Sequence, residues 1–174
     1  GTLGLHLDVG TRGQAILSGE RVEIFGPTSL ELELSEVTVE VDARAFSQAF
    51  PAQLARAHAL MREWLGAPPE VLVDLYCGVG AHGVALAPEG GRLIGADVDA
   101  DAIEAARRNA SRRGLAATFQ ALRDEDVAGW LDEQLQGAAP TVIVNPARAG
   151  LHPNVIAWLA RASPRALLYL SCEP

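Results

Sequence analysis

The feature that most constrains the fold of this chain is an alternation of short apolar runs with longer amphipathic stretches after residue 70. Five apolar runs follow the pattern: 71–76, 92–97, 117–122, 141–145 and 166–171. Their continuity is typical of strands buried on both faces, as in parallel sheets. Three stretches with helical periodicity lie between the last four runs: 100–113, 125–136 and 153–162. The alternation predicts an α/β fold with a doubly wound parallel sheet.

Residues spaced three and four apart predict which face of each helix is buried. An earlier helix is predicted over 51–65, with Pro51 in its first turn and Gly66 and Pro68–Pro69 after its end. The expected core residues of the four helices are Leu54, Ala57, Met61 and Trp64; Ile103, Ala106 and Ala110; Val127, Trp130, Leu131 and Leu135; and Ile156 and Leu159.

The first 42 residues have a different pattern, which predicts antiparallel β structure. Ala15–Leu17 and Val22–Phe25 flank a turn-like Ser-Gly-Glu cluster, and leucines and valines alternate with polar residues over 30–41. We therefore expect a small β appendage over residues 1–42, followed by the α/β unit over 43–174.

The composition restricts the partners and the location of the protein. Its 14 basic and 22 acidic residues give a net charge of −8, which argues against strong non-specific nucleic-acid binding but does not exclude RNA. Arg107, Arg108, Arg112 and Arg113 are interpreted as a solvated helix face. No apolar run approaches the length of a membrane span and no signal pattern is present, so a cytoplasmic location is expected, with no membrane contact.

The two cysteines, Cys77 and Cys172, form neither a disulfide framework nor a zinc-site pattern. We expect two reduced thiols and no bound metal.

In a doubly wound sheet, ligands bind beyond the carboxyl ends of the strands. The first predicted strand of this sheet ends in a turn that contains Gly78, Gly80 and Gly83, where backbone can approach a ligand closely. The second ends in Asp97, which is suited to accept hydrogen bonds from ribose hydroxyls. Both features also fit a nicotinamide site, so that alternative stays open. Two features argue against a nicotinamide site: Asp74 lies within the first strand, and that strand ends in Tyr-Cys-Gly.

Five segments together resemble the RNA uracil-C5 methyltransferases, which form 5-methyluridine in ribosomal and transfer RNA. In chain order they are Phe46-Ser47-Gln48, Val73-Asp74-Leu75-Tyr76-Cys77-Gly78-Val79-Gly80, Ile94-Gly95-Ala96-Asp97, Asn145-Pro146-Ala147-Arg148-Ala149-Gly150 and Leu168-Tyr169-Leu170-Ser171-Cys172-Glu173-Pro174. The resemblance covers about residues 37–174 and implies a Rossmann-like methyltransferase sheet, S-adenosylmethionine as cofactor and an rRNA or tRNA substrate.

The resemblance also implies a role for individual residues. Cys172 matches the family nucleophile, whose thiolate adds to C6 of uracil so that C5 can attack the methyl group. Asn145 falls at the position of a family aspartate between cofactor and target base. The residues at positions implied to bind the cofactor are Gln48, Tyr76, Gly78, Gly80 and Asp97. Asp124, which lies one residue beyond the family position for an adenine contact, is a further candidate for cofactor binding.

Several positions depart from the family pattern. Ala81 replaces the usual asparagine, Gln48 is not followed by the motif's asparagine, Asn145 replaces the aspartate, and Glu173 lies where an asparagine follows the nucleophile. A carboxylate beside Cys172 disfavours the thiolate.

The family's catalytic base follows the last motif, and this sequence ends at Pro174 without one. The sheet is therefore expected to be truncated at its C-terminal end, in an excised piece or a degenerate homologue. The alternatives to a uridine-C5 methyltransferase are an inactive cofactor-binding or fold-only module, and a methyltransferase that acts on another atom or substrate.

Overall fold

A computed structural model of the chain describes residues 5–9, 20–25, 29–34, 37–42 and 51–171. The strands are β1 (Leu5–Val9), β2 (Glu20–Phe25), β3 (Ser29–Leu34), β4 (Val37–Asp42), β5 (Val71–Leu75), β6 (Arg92–Asp97), β7 (Ala116–Ala121), β8 (Thr141–Val144) and β9 (Ala166–Tyr169). The helices are α1 (Pro51–Leu65), α2 (Ala81–Leu86), α3 (Ala100–Arg112), α4 (Asp124–Leu135) and α5 (Pro153–Ala162).

The central sheet has five parallel strands in the order β7-β6-β5-β8-β9. The chain runs outward from β5 to β7 and then returns to the other side of β5 with β8. The two halves therefore diverge between β5 and β8, the place where sheets of this kind bind ligands. This confirms the predicted doubly wound sheet.

Burial differs along the sheet in a way that the sequence pattern did not predict. Every residue of β5 and β8 is buried, as expected for strands covered on both faces. β7 and β9 have mixed burial, because each lies at an edge of the sheet. The expectation that all five strands are buried on both faces is therefore wrong for these two.

Alternate residues of β5 belong to two hydrophobic layers, as the two-residue period of a strand requires. Leu72 packs in the layer on one face of the sheet, together with residues of α1, α2, α3 and the β3–β4 hairpin. Val71, Val73 and Leu75 pack in the layer on the other face, with residues of α4 and α5. The sheet is thus covered on both sides along its centre.

The antiparallel β3–β4 hairpin packs against this core. Leu34, Val39 and Val41 are buried in the same layer as residues of α1 and α3. The buried side chain of Asn109 on α3 accepts from Glu40 N at 2.7 Å and donates to the Glu40 and Val79 carbonyls at 3.0 Å. One amide thus joins the hairpin to the turn after β5. The division of the chain at residue 42 stays a prediction.

The first hairpin lies nearer the N-terminus, where β1 pairs antiparallel with β2. The predicted strand over Val22–Phe25 is therefore confirmed as part of β2. The predicted strand over 15–17 lies outside the described residues. Among those residues, no helix combines the length and apolar character needed to cross a bilayer.

Of the four arginines clustered at the end of α3, Arg107, Arg108 and Arg112 are exposed, as expected for a solvated face, but all four also make tertiary contacts. Arg108 pairs with Glu40 at 3.1 Å and Arg112 with Glu31 at 2.8 Å, so both bind the hairpin. Arg107 donates to the Phe119 carbonyl, and Arg113 donates to carbonyls at the end of α2. These cations serve tertiary contacts.

Two of the predicted helix faces need correction. On α1, Leu54 and Met61 are buried as expected, but Trp64 is 71% exposed. On α5, Leu159 is buried but Ile156 is 53% exposed. Each helix is rotated relative to the prediction because its neighbours select the buried face: His58 of α1 contacts α2, and Trp158 of α5 donates to Asp132 of α4 at 3.1 Å.

Candidate functional site

The turn after β5 has a backbone that few residue types adopt. Tyr76, Gly78 and Gly80 have φ of 57°, 53° and 76°, all in the left-handed region. A Cβ at Gly80 would also lie 3.0 Å from that of Ala106, whereas one at Gly78 would meet nothing within 4 Å. The open space over Gly78 leaves its backbone accessible to a ligand. α2 begins at Ala81 and includes Gly83, although the sequence predicted a turn there.

Two carboxylates hold this turn from opposite ends. Asp97 Oδ2 accepts from Gly78 N at 2.8 Å, and Asp74 Oδ2 accepts from Gly83 N at 2.7 Å. Asp97 Oδ1 accepts from Asp99 N at 3.0 Å. Asp99, and not Asp97, caps α3, because the Asp99 side chain accepts from Asp101 N and Ala102 N. Because a carboxylate has about four acceptor positions, Asp97 retains capacity for hydroxyl donors.

Asp74 is fully buried and its Oδ1 has no hydrogen-bond partner among the described residues. Burial raises the pKa of its carboxyl from 3.8 to about 7, the Gly83 hydrogen bond opposes that rise, and the charge of Asp97 adds to it. Burial penalises the charged form of any acid that lacks a cation nearby. Asp74 is therefore a structural acid whose charge depends on pH near neutrality.

A narrow slot opens beside Asp97 at the carboxyl edge of β5 and β6. It measures about 10 Å³, space for about one water molecule, and its lining residues are Leu75, Tyr76, Ala96, Asp97, Leu122, Asp124, Val127 and Val155. The Tyr76 hydroxyl accepts from His152 N at 3.3 Å. Burial and the neighbouring Asp124 carboxylate raise the pKa of Tyr76. The structure thus brings Tyr76, Asp97 and Asp124 together around one slot, and their role in cofactor binding stays a prediction.

Asn145 lies at the end of β8, on the other side of β5 from Asp97. Its Nδ2 lies 3.2 Å from His82 Nε2, and His82 Nδ1 lies 3.0 Å from His58 Nε2. Both histidines are buried, and burial lowers the pKa of His58 to about 3 and that of His82 to about 4. Sequence reasoning missed this chain of polar side chains, because neither histidine belongs to a recognisable pattern.

A groove of about 670 Å³ runs between α1 and β9, and Asn145 lies in its wall. The other lining residues are Gln53, Leu54, Ala57, Leu60, Met61, Trp64, Leu167, Leu168, Tyr169, Leu170 and Ser171. Its size and mostly apolar lining are those of a small-molecule or nucleobase site. Cys172 follows Ser171 directly, but both Cys172 and Gln48 lie outside the described residues.

Cys77 packs behind the glycine turn and is 5% exposed. Burial raises the pKa of its thiol well above the usual value, and the charges of Asp74 and Asp97 raise it further. Cys77 is therefore a neutral thiol and a poor nucleophile. The described residues also contain no cluster of three or more His, Cys, Asp and Glu side chains that could hold a metal ion.

Comparison with known proteins places this geometry in a family. Residues 36–168 match the family described as methyltransferase small domain. The match covers more than half of the chain, which therefore belongs to that family.

The relatives of this chain include RNA methyltransferases named for C5 of uracil, which confirms the resemblance seen in the motifs. The 23S rRNA (uracil(747)-C(5))-methyltransferase RlmC of Shewanella sp. (strain ANA-3) is 36% identical over 164 residues, which are 92% of this chain and 42% of that protein. The chain thus spans about two fifths of the length of the curated relatives it matches.

Solved structures agree with the sequence relatives. The Pyrococcus abyssi tRNA (uracil-54, C5)-methyltransferase, in complex with S-adenosyl-L-homocysteine, has a TM-score of 0.77 and 29% identity, and the match covers 97% of this chain and 41% of that one. A SAM-dependent methyltransferase from Agrobacterium tumefaciens has a TM-score of 0.64 at 18% identity over 97% of this chain and 60% of that one, and shows the fold alone.

Proposed function

We propose that this chain is the S-adenosylmethionine-binding core of a cytoplasmic RNA methyltransferase that acts on C5 of uridine in rRNA or tRNA. One observation carries the proposal. The carboxyl edge of the sheet holds the open glycine turn and Asp97 on one side of β5, and Asn145 with its groove on the other. A cofactor and a base could therefore meet above β5.

The residues fit the proposed cofactor. The free acceptor positions of Asp97 are suited to the two ribose hydroxyls, which donate well to a carboxylate. The exposed backbone at Gly78, together with Gly80, leaves room for the methionine part of the cofactor. Tyr76 and Asp124 line the slot beside Asp97. Because the slot has space for only about one water molecule, the adenine would rest on its rim and not inside it. Gln48 is proposed as a further contact.

S-Adenosylmethionine supplies an electrophilic methyl group when it is bound. Uracil C5 becomes nucleophilic only after a thiolate adds to C6 and converts the ring into an enolate. We assign that addition to Cys172, with Asn145 contacting the uracil ring. The neighbouring Ser171 lines the groove, so a nucleophile directly after it is in a suitable part of the chain.

The cofactor assignment is tested by calorimetric titration with S-adenosylmethionine and, separately, with NAD. We expect micromolar binding of S-adenosylmethionine alone. Asp97→Asn removes the charge but keeps an acceptor for Gly78 N, so binding should weaken about tenfold through loss of charge-assisted hydrogen bonds. Asp101→Asn makes the same charge change at an exposed position on α3 and should have no effect. Binding of NAD instead, or of neither compound, would contradict the proposal.

The nucleophile is tested with RNA. Denaturing gels and mass spectrometry should detect a covalent adduct with a uridine-containing oligonucleotide, or 5-methyluridine after transfer. Cys172→Ser should abolish both products, whereas Cys77→Ser, the matched control at the buried thiol, should keep them. Methylation at C5 that survives Cys172→Ser would refute the mechanism. Cofactor binding with no RNA product would favour an inactive cofactor-binding module.

A further inference from the structure

Three polar side chains from three elements form a continuous hydrogen-bonded series that ends at the proposed base site. His58 comes from α1, His82 from α2 and Asn145 from the end of β8. The two ring nitrogens are 3.0 Å apart, and the amide nitrogen is 3.2 Å from His82 Nε2. Both histidines are less than 5% exposed, so water cannot replace the bond between the two rings.

The donor and acceptor roles in this series are coupled. With the Asn145 amide nitrogen toward the ring, His82 Nε2 accepts and carries no proton, because an amide nitrogen can only donate. A neutral imidazole then has its proton on Nδ1, which donates to His58 Nε2. The proton of His58 is consequently on Nδ1, which has no hydrogen-bond partner among the described residues. Each ring is neutral at neutral pH because burial disfavours the imidazolium.

We propose that His82, held by His58, is a positioning residue that fixes the orientation of the Asn145 amide, and that this orientation makes the site select uridine over cytidine. The inference rests on the proposed function, in which Asn145 contacts the target base. An amide can turn by 180° and exchange its oxygen and nitrogen at little cost when nothing holds it. The contact to His82 ties the amide orientation to the ring protons, because a turned amide requires the opposite tautomer in both histidines.

The orientation matters because the two pyrimidines differ in donors and acceptors at the same edge. Uracil presents a donor at N3 and an acceptor at O4, whereas cytosine presents an acceptor at N3 and a donor at N4. With one N–H bound to His82, the amide offers Oδ1 and its second N–H in a fixed order. For a base held in a fixed position, that order pairs each amide group with a complementary group of uracil. With cytosine in the same position, donor would face donor and acceptor would face acceptor.

One test measures selectivity in the full chain with cofactor. Paired oligoribonucleotides that differ only in uridine or cytidine at the target position are titrated against the wild type, His82→Phe and His82→Gln. The wild type should prefer uridine by about tenfold or more. His82→Phe should lose that preference. His82→Gln should retain it, because its oxygen can accept from Asn145 while its nitrogen donates to His58. Unchanged preference in a folded His82→Phe would overturn the proposal.

The second test needs neither RNA nor cofactor, so it separates failure of this inference from failure of the proposed function. Long-range ¹H–¹⁵N correlation spectra distinguish protonated from unprotonated ring nitrogens. Among the four histidines of the chain, His58→Gln and His82→Gln assign the two signals. The wild type should have unprotonated Nε2 and protonated Nδ1 on His82, and protonated Nδ1 on His58.

The decisive variant in this test is Asn145→Asp. A carboxylate only accepts, so the variant should move a proton onto His82 Nε2. Asn154→Asp, which adds the same charge at an exposed position of α5, should change neither His58 nor His82. A proton on His82 Nε2 in the wild type, or no change in Asn145→Asp, would overturn the inference even if RNA binding and methylation were observed.

Discussion

Replacing Asp74 by asparagine should make the protein more stable, and increasingly so as the pH rises. The carboxyl is fully buried, its Oδ1 has no partner among the described residues, and its pKa is about 7 instead of 3.8. Asparagine keeps the acceptor for Gly83 N and carries no charge in either the folded or the unfolded state.

The direction in which the free energy of unfolding changes with pH follows from how many protons the folded and unfolded states bind. Between pH 3.8 and about 7 the folded protein keeps the Asp74 proton while the unfolded chain releases it. The free energy of unfolding therefore falls by about 1.4 kcal/mol per pH unit across that window. Two units, from about pH 5 to about pH 7, give a loss of roughly 3 kcal/mol in the wild type. The variant lacks this loss.

The two buried histidines act in the opposite direction. Their pKa values lie below the usual 6.5, so their contribution to stability is present above that pH and is lost as the pH falls toward about 4. Since His58 and His82 are present in both proteins, their effect cancels in the difference between variant and wild type. That difference isolates Asp74.

The assay is urea unfolding followed by tryptophan fluorescence at about pH 5 and about pH 8. The advantage of Asp74→Asn over wild type should grow by roughly 3 kcal/mol between the two. Asp132→Asn is the control. A hydrogen bond from Arg161 lowers the pKa of Asp132 below 3.8, so this exposed carboxylate stays ionised across the window. An advantage of Asp74→Asn that is equal at both pH values would refute the reasoning.

Two further predictions concern packing. Gly83→Ala places a Cβ 2.8 Å from both Asp74 Oδ2 and Leu93 Cδ1, so thermal unfolding should show a loss of about 1–3 kcal/mol despite the better helix propensity of alanine; an unchanged Tm would contradict this. Ile143→Ala, in the centre of the sheet, should cost about 2–5 kcal/mol. Ile156→Ala on the exposed face of α5 should change stability by about 0.5 kcal/mol or less, and similar losses at both sites would contradict the observed rotation of α5.

The sheet was predictable because its signal is local. Each strand and helix has its own periodicity, and alternation of the two types leaves few topologies. The glycine turn and Asp97 followed from the same reasoning, since strand ends meet at one edge. The burial of individual faces was less predictable. Trp64 fits the apolar stripe of α1, yet it lies on the groove, because the stripe alone does not determine which neighbour covers it.

The histidine series could not be predicted from the chain. His58 and His82 are 24 positions apart and His82 and Asn145 are 63 apart, so only the packing of α1 on α2 and of α2 on the central sheet brings them together. A histidine inside a helical pattern is ordinary in sequence. These two histidines differ from an ordinary helix residue because both are buried, and a buried ring requires a hydrogen-bond partner.

The histidine series gives a physical reason for one departure from the family pattern. A carboxylate at position 145 would lie about as close to the buried ring of His82 as the amide does, although position 145 itself is only half-buried. It would draw a proton onto His82 Nε2 and leave a negative charge beside the buried ring, and the desolvation of that charge opposes folding. The amide at Asn145 instead lets all three side chains stay neutral and bonded. We therefore interpret Asn145 and His82 as a pair that functions together. The amide at position 145 lacks the charge of the family aspartate but has an orientation set by His82, so this departure does not by itself indicate an inactive protein.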